Sequence, residues 1–209
     1  MSRVGKSLAP PILGLSLLLA GCHPSGAEYI SDLDVVATTH DPTFNFATPS
    51  TYSRPDRIYV ISGDPTTTPP EQLNPQTTQL ILNTVDNAMS AYGYTKVDVS
   101  AAPDLVMTFS VLKVTNVNYY YGYWCTYWGY YYPCYPYYPP VVGVSTYVVG
   151  TLIMDMAPYS STAPPGNQIK GVWTAVLRGI QSGSTSTDNQ RIVNGVSQAF
   201  IQSPYLGHQ

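Results

Sequence analysis

Two stretches of the chain carry the 3.6-residue apolar repeat of a helix, and two others, 105–114 and 145–156, alternate with the period of two that marks a strand. In the first helical stretch Ile81, Val85, Ala88 and Tyr92 recur at i, i+4, i+7 and i+11, and Leu82 and Met89 widen the stripe. Asn74-Pro75 offers an N-cap followed by a first-turn proline, and Gly93 offers the positive φ that ends a helix, so a helix is predicted over about 75–92. A second helix is predicted from about Asp188 to Gln202. Thr187 and Gln190 form its capping box, Ile192, Val196, Ala199 and Phe200 its buried stripe, and Pro204 its stop.

Strands are predicted over 33–39, 57–62, 94–99, 105–114, 145–156 and 169–180. The clearest is 105–114, where Leu105, Met107, Phe109 and Val111 point one way while Val106, Thr108 and Ser110 point the other. Phe44, Phe46 and Tyr52 lie in a Pro/Ser/Thr-rich link and are read as capping one edge of the core. The order is β-β-α-β-β-β-β-α, and no helix alternates regularly with strands. The expected class is therefore α+β: a mostly antiparallel sheet of about five or six strands with two helices on one face, interrupted by a long Tyr-rich hairpin insertion.

That insertion, residues 118–140, breaks every pattern. It reads NYYYGYWCTYWGYYYPCYPYYPP, and no charged residue occurs from Val114 to Met154. Its rings are Tyr119, Tyr120, Tyr121, Tyr123, Trp124, Tyr127, Trp128, Tyr130, Tyr131, Tyr132, Tyr135, Tyr137 and Tyr138. Fully splayed they would expose roughly 2,000 Å², several times the largest apolar patch of a typical monomer. They must pack on each other, on the sheet, on a membrane or on a partner. Proline and glycine exclude a membrane-spanning helix here and interrupt any amyloid-like run.

Composition narrows the partners. Charged residues are 10% of the chain, the formal net charge is −3, and there is no Lys/Arg cluster, so a nucleic-acid partner has no electrostatic footprint. Residues 1–21 have the form of an export signal, with Arg3 and Lys6 ahead of an apolar run from Ile12 to Leu19 that is too short to span a bilayer. Leu19-Ala20-Gly21-Cys22 resembles a bacterial lipobox, which implies cleavage before Cys22, acylation of its thiol and a polar tether over 22–31 ahead of a single domain over 32–203. Each buried CH₂ contributes ~0.8 kcal/mol, so two or three acyl chains hold a protein on the membrane essentially permanently. His23 rather than aspartate after the cysteine resembles the pattern sorted to the outer membrane, on its periplasmic face. In that oxidising compartment the remaining pair, Cys125 and Cys134, is read as a disulfide, which would stabilise by roughly 2.5–3 kcal/mol. A two-thiolate metal site would need further ligands, and no His or carboxylate lies nearby in sequence.

Candidate chemistry is sparse. None of the familiar nucleophile, zinc, phosphate-loop or dinucleotide motifs appears. His23 and His208 lie beside the anchor and the C-terminus, and His40 precedes a turn and is read as a surface histidine. Asp104 is read as a turn cap, Asp155 as a strand-end residue near Lys170 or Arg178, and Trp173 as core. A paired-carboxylate mechanism would require Asp104 and Asp155 to face each other in a cleft.

Several short motifs stand out along the chain: His40-Asp41-Pro42 with Phe46 and Ser50-Thr51-Tyr52, then Ala91-Tyr92-Gly93-Tyr94 and Pro103-Asp104-Leu105-Val106. Gly150-Thr151-Leu152-Ile153-Met154-Asp155 and Val172-Trp173-Thr174-Ala175 complete the set. Together they resemble a family of bacterial envelope lipoproteins known as domain of unknown function 4136. Ala175 stands where that family usually has glycine, and the paired cysteines are an addition. The resemblance implies fold and location and transfers no catalytic residue, cofactor or metal. The expectation is a membrane-anchored, non-catalytic binding or structural module with the Tyr-rich loop as the contact surface for an envelope protein; the alternatives are a glycan- or peptidoglycan-binding module and an uncharacterised envelope enzyme. Four roles stay open for the aromatic segment: a self-packed loop, a contact for an envelope protein, a stacking platform for peptidoglycan or another glycan, and a rest at the lipid headgroups.

Overall fold

The alternating stretch after Asp104 forms the spine of the domain. The computed structural model describes residues 35–61, 71–112, 137–138, 150–160, 169–180 and 185–207. In chain order these contain β1 (Val36–His40), β2 (Thr51–Ser53), β3 (Tyr59–Ile61), α1 (Pro75–Ala91), β4 (Thr95–Lys96), β5 (Leu105–Leu112), β6 (Tyr137–Tyr138), β7 (Thr151–Pro158), β8 (Ile169–Lys170), β9 (Trp173–Leu177) and α2 (Thr185–Ile201). β5 and β7 pair antiparallel from Leu105 opposite Pro158 to Leu112 opposite Thr151. β9 continues the antiparallel ladder beyond β7, and β1 closes that side.

The other side of β5 departs from expectation. β2 pairs with its first residues, Tyr52 opposite Leu105, and β3 with its last, Ile61 opposite Leu112, and both run parallel to it. β4 then lies parallel to β2. The sheet is therefore mixed, not mostly antiparallel, with the order β1-β9-β7-β5-β2-β4 and β3 also on β5. The cause is the connection: β3 reaches β5 through α1, and a helical crossover returns the chain in the same direction. β2 is an extra strand in the Pro/Ser/Thr-rich link, too short for a periodic signal. The single strand expected over 169–180 is divided, because Ile169–Lys170 turns aside to pair with β6 in a separate parallel ribbon.

Both helices pack on the face set by the alternation. Leu105, Met107, Phe109 and Val111 share one core with Leu152, Met154, Met156, Trp173, Ala175 and Leu177, with Ile81, Leu82, Val85 and Met89 of α1, and with Ile192, Val196, Ala199 and Phe200 of α2. Phe46 and Tyr52 join that core rather than capping its edge. Each large aliphatic or phenylalanine side chain among them contributes about 1.5–3 kcal/mol on burial.

The first helix ends as its sequence requires. Asn74 Oδ1 accepts from Gln76 N and Thr77 N at 2.9 and 3.3 Å, a cap worth ~1 kcal/mol. At the other end Gly93 has φ 93°, Tyr94 N donates to Met89 O and Gly93 N to Ser90 O, the double bond of a Schellman motif. Where a capping box was expected at Thr187 and Gln190, the helix already runs from Thr185, and the Gln190 amide donates to Asn194 Oδ1.

Asp86 ties the weak edge of the sheet to α1. Its carboxylate accepts from Tyr52 Oη at 2.7 Å, from Arg54 Nε and Nη2 at 2.7 and 2.6 Å, and from Lys96 Nζ at 2.6 Å. Burial alone would raise its pKa. The bonds from Arg54, Lys96 and Tyr52 outweigh that and hold it at about 2. Burial, then the neighbouring carboxylate, push the Tyr52 phenol upward. The contribution of Asp86 is present above its unfolded value of 3.8 and is lost as pH falls toward 2. Asp86→Ala strands an Arg54 side chain that is only 10% exposed. It is expected to lower stability by about 2 kcal/mol and Tm by about 4–8 °C, read by urea and thermal unfolding at pH 7. An unchanged Tm would show that the cluster is not holding β2 and β4.

Candidate functional site

The aromatic insertion was the expected contact surface, and the described residues fix where it attaches. It leaves from Leu112, the last residue of β5, and the chain re-enters at Gly150. Gly150 N donates to Leu112 O at 2.9 Å, and Gly150 O accepts from Ile180 N at 3.1 Å. Gly150 has φ 78° and is buried, a position where a side chain would be strained, which accounts for the glycine in Gly150-Thr151-Leu152. The β5–β7 ladder thus closes on its own backbone bonds at the root of the insertion.

Tyr137 and Tyr138, as β6, pair parallel with Ile169 and Lys170 of β8. That ribbon lies toward the opposite end of the sheet, because Lys170 Nζ bonds the carboxylate of Asp41, the residue after β1. The steps from Thr151 to Met156 span on the order of 17 Å, so the insertion is fixed at points well apart along the sheet. Tyr119, Tyr120, Tyr121, Tyr123, Trp124, Tyr127, Trp128, Tyr130, Tyr131, Tyr132 and Tyr135 lie outside the described residues. So do Cys22, Cys125 and Cys134, the signal and tether segments, His23, His208 and the first part of the strand expected over 145–156.

Asp41 anchors the ribbon. Besides Lys170, its carboxylate accepts from Thr43 N at 2.9 Å and from Thr43 Oγ1 at 2.6 Å. The bond from Lys170, then those from Thr43, hold its pKa at about 2. Beside it, His40 is half-buried with its ring stacked on Tyr205 at 3.9 Å, so the histidine expected at the surface belongs to an aromatic cluster with Phe44 and Phe46. Trp173 is fully buried and its Nε1 donates to Ser203 Oγ at 2.9 Å, as a core residue should.

The two carboxylates considered for chemistry are not brought together. Asp104 stands before β5 and accepts from Ser50 N and Thr51 N at 2.8 and 2.9 Å, and Thr51 Oγ1 in turn accepts from Asp104 N. Bonds from the Ser50 amide, then from Thr51, lower its pKa, and its work is to dock β2. Asp155 is a mid-strand residue of β7, buried on the face away from the helices. It accepts from Thr174 Oγ1 at 2.6 Å and lies opposite Thr108 as well as Thr174. It is neither at a strand end nor paired with Lys170, which serves Asp41 instead. The signal that could have found it is its place: a lone carboxylate in an otherwise apolar run between Met154 and Met156 is a buried polar group that needs a partner.

Burial pushes the Asp155 carboxyl up to about 8, against the smaller opposing effect of the Thr174 bond. A carboxyl whose pKa is raised on folding binds its proton more tightly in the native state. Its effect on stability is therefore opposite to that of Asp86: the native state loses stability as pH rises from about 4 to about 8. Asp155→Asn removes that titration. The variant is expected to lack a loss of up to about 1 kcal/mol per pH unit that the native chain shows in this window. Parallel pH–stability curves for the two chains would contradict the assignment.

The chain matches the family model described as "Domain of unknown function (DUF4136)" over residues 36–205. Among solved structures it is similar to the crystal structure of a DUF4136 family protein from Bacteroides thetaiotaomicron VPI-5482. The two share 28% identity, with 84% of this chain and 98% of that chain covered and a TM-score of 0.67. A PelC dodecamer from Paraburkholderia phytofirmans aligns at 13% identity over 84% of this chain and 99% of that chain, with a TM-score of 0.35. No curated protein matches the chain.

Proposed function

The chain belongs to the DUF4136 family, and on that premise we propose that it is a lipid-anchored envelope protein acting as a non-catalytic binding or structural module. Its anchor is Cys22, at the periplasmic face of the outer membrane, and its Tyr-rich segment is the contact surface for another envelope protein. The observation that carries this reading is the way the segment is grafted. The β5–β7 ladder closes through Gly150 at the root of the insertion, so the scaffold's own hydrogen bonding there does not depend on the aromatic residues. A segment so rich in rings, inserted where the ladder does not need it, is best explained by what it touches, because Tyr and Trp supply large, rigid contact area.

Four of the described acids are engaged in holding the fold, which is in keeping with the non-catalytic part. Asp41 holds β8, Asp86 holds β2 and β4, Asp104 docks β2, and Asp155 bonds Thr174 within the sheet. Each serves a different joint of the fold, and they do not converge on a common point.

Deleting Tyr119–Tyr138 and bridging the gap with a short Gly/Ser turn is the direct test. The variant loses β6 but is expected to keep a cooperative thermal unfolding transition and to lose recovery of envelope proteins in affinity purification from solubilised membranes. Unchanged recovery would sink the reading. Binding to purified peptidoglycan that disappears in a Trp124→Ala/Trp128→Ala variant would reassign the surface to sugar.

A further inference from the structure

The sheet has two edges, and they are finished differently. β4 is two residues long and carries Lys96, which is tied to Asp86. Shortness and a lysine are two of the usual devices that keep a sheet edge from pairing with another chain. β1, at the other edge, has neither. It reads Val36-Ala37-Thr38-Thr39-His40, without acidic or basic carboxylate–ammonium charges and without proline, and it is half-buried along its whole length. Val35, just before it, is 46% exposed.

The phase of the β1–β9 ladder says which backbone groups are left. Arg178 N donates to Val35 O and Asp41 N to Val172 O, both at 2.9 Å, so Val35 and Asp41 are hydrogen-bonded positions. The antiparallel register between them places Ala37 opposite Val176 and Thr39 opposite Thr174 as the intervening bonded pairs. The N–H and C=O of Val36, Thr38 and His40 therefore point away from β9, and among the described strands β1 pairs with β9 alone.

We infer that this edge pairs with the same edge of a second copy, antiparallel about Thr38. A strand read against itself in that register sets Thr38 opposite Thr38 of the partner subunit and Val36 opposite His40 of the partner subunit. All three outward N–H groups and all three outward C=O groups are then bonded, and the two sheets continue into one. The arrangement is isologous and closes at two copies, whereas addition of β1 to the blunted β4 of another molecule would propagate without end. Charge does not oppose it: the carboxylate next to the strand, Asp41, is already bonded by Lys170. A five-residue edge covers far less than the ~1,200 Å² of a stable interface. The pairing is accordingly weak in solution and gains from any tether that concentrates the copies on one surface.

Cysteine trapping on the purified full-length chain reads the register directly. Paired residues in hydrogen-bonded antiparallel positions have Cα atoms ~5.5 Å apart, within disulfide reach, while a residue one step along meets its own copy only diagonally, beyond it. Under mild oxidation Thr38→Cys is expected to give a dimer at least about tenfold more abundant than Ala37→Cys or Thr39→Cys. Equal trapping at the three positions, or none at 38 with circular dichroism intact, overturns the proposal, and so does a product heavier than two chains. Amide exchange on the unmodified chain gives a reading free of substitutions. Raising the concentration should slow the Val36, Thr38 and His40 amides and leave Ala37 and Thr39 unchanged. Exchange independent of concentration at all five overturns the pairing. Thr38→Pro removes an N–H that the β1–β9 ladder does not use. It is expected to abolish the concentration dependence at Val36 and His40, and persistence of that dependence counts against the register.

Discussion

The ladder between β5 and β7 is the constraint on which the rest of the domain depends. From Leu105 to Leu112 only Ser110 is less than fully buried, and from Thr151 to Ala157 every residue is buried. Both faces of this pair are therefore withdrawn from water. One face supplies the apolar row that α1 and α2 cover. The other carries Thr108, Asp155 and Thr174 in register across three strands, a polar row inside the protein. The remaining elements extend this pair: β9 and β1 beyond β7, β2 and β3 sharing the far side of β5, and α1 as the crossover that makes β3 parallel.

That hierarchy explains what could be read from the sequence and what could not. α1 was legible at both ends because Asn74, Pro75 and Gly93 act locally, through bonds to neighbours a few residues away. The alternation from Leu105 was legible for the same reason. The mixed sheet was not, because β2 owes its existence to Asp104, a residue more than fifty positions away that grips the Ser50 and Thr51 amides. The Asp86 cluster was equally hidden: Tyr52, Arg54, Asp86 and Lys96 come from three elements and show no common spacing. Asp155 was misplaced because the strand was expected to end beside it, which suggests an exposed carboxylate, whereas β7 runs on to Pro158 and register across the sheet sets it against threonines.

Charge is scarce in this chain, and the fold spends it at joints. Asp41–Lys170 holds β8 beside the end of β1, Arg54–Asp86–Lys96 fastens the β2–β4 edge to α1, and Asp104 closes β2 onto β5. The long uncharged stretch from Val114 to Met154 contributes nothing of that kind. Its Tyr137–Tyr138 pair is held by backbone pairing to β8, in a ribbon separate from the main sheet.

We propose that this segment is where the protein meets its partner. Placing a photoreactive phenylalanine analogue at Tyr123 or Tyr130 in living cells, with Asn87 on the exposed side of α1 as the control position, asks that question without disturbing the scaffold. A discrete crosslinked envelope protein is expected from the tyrosine positions and not from the control. The same products from all three positions, or none from the tyrosines, would contradict it.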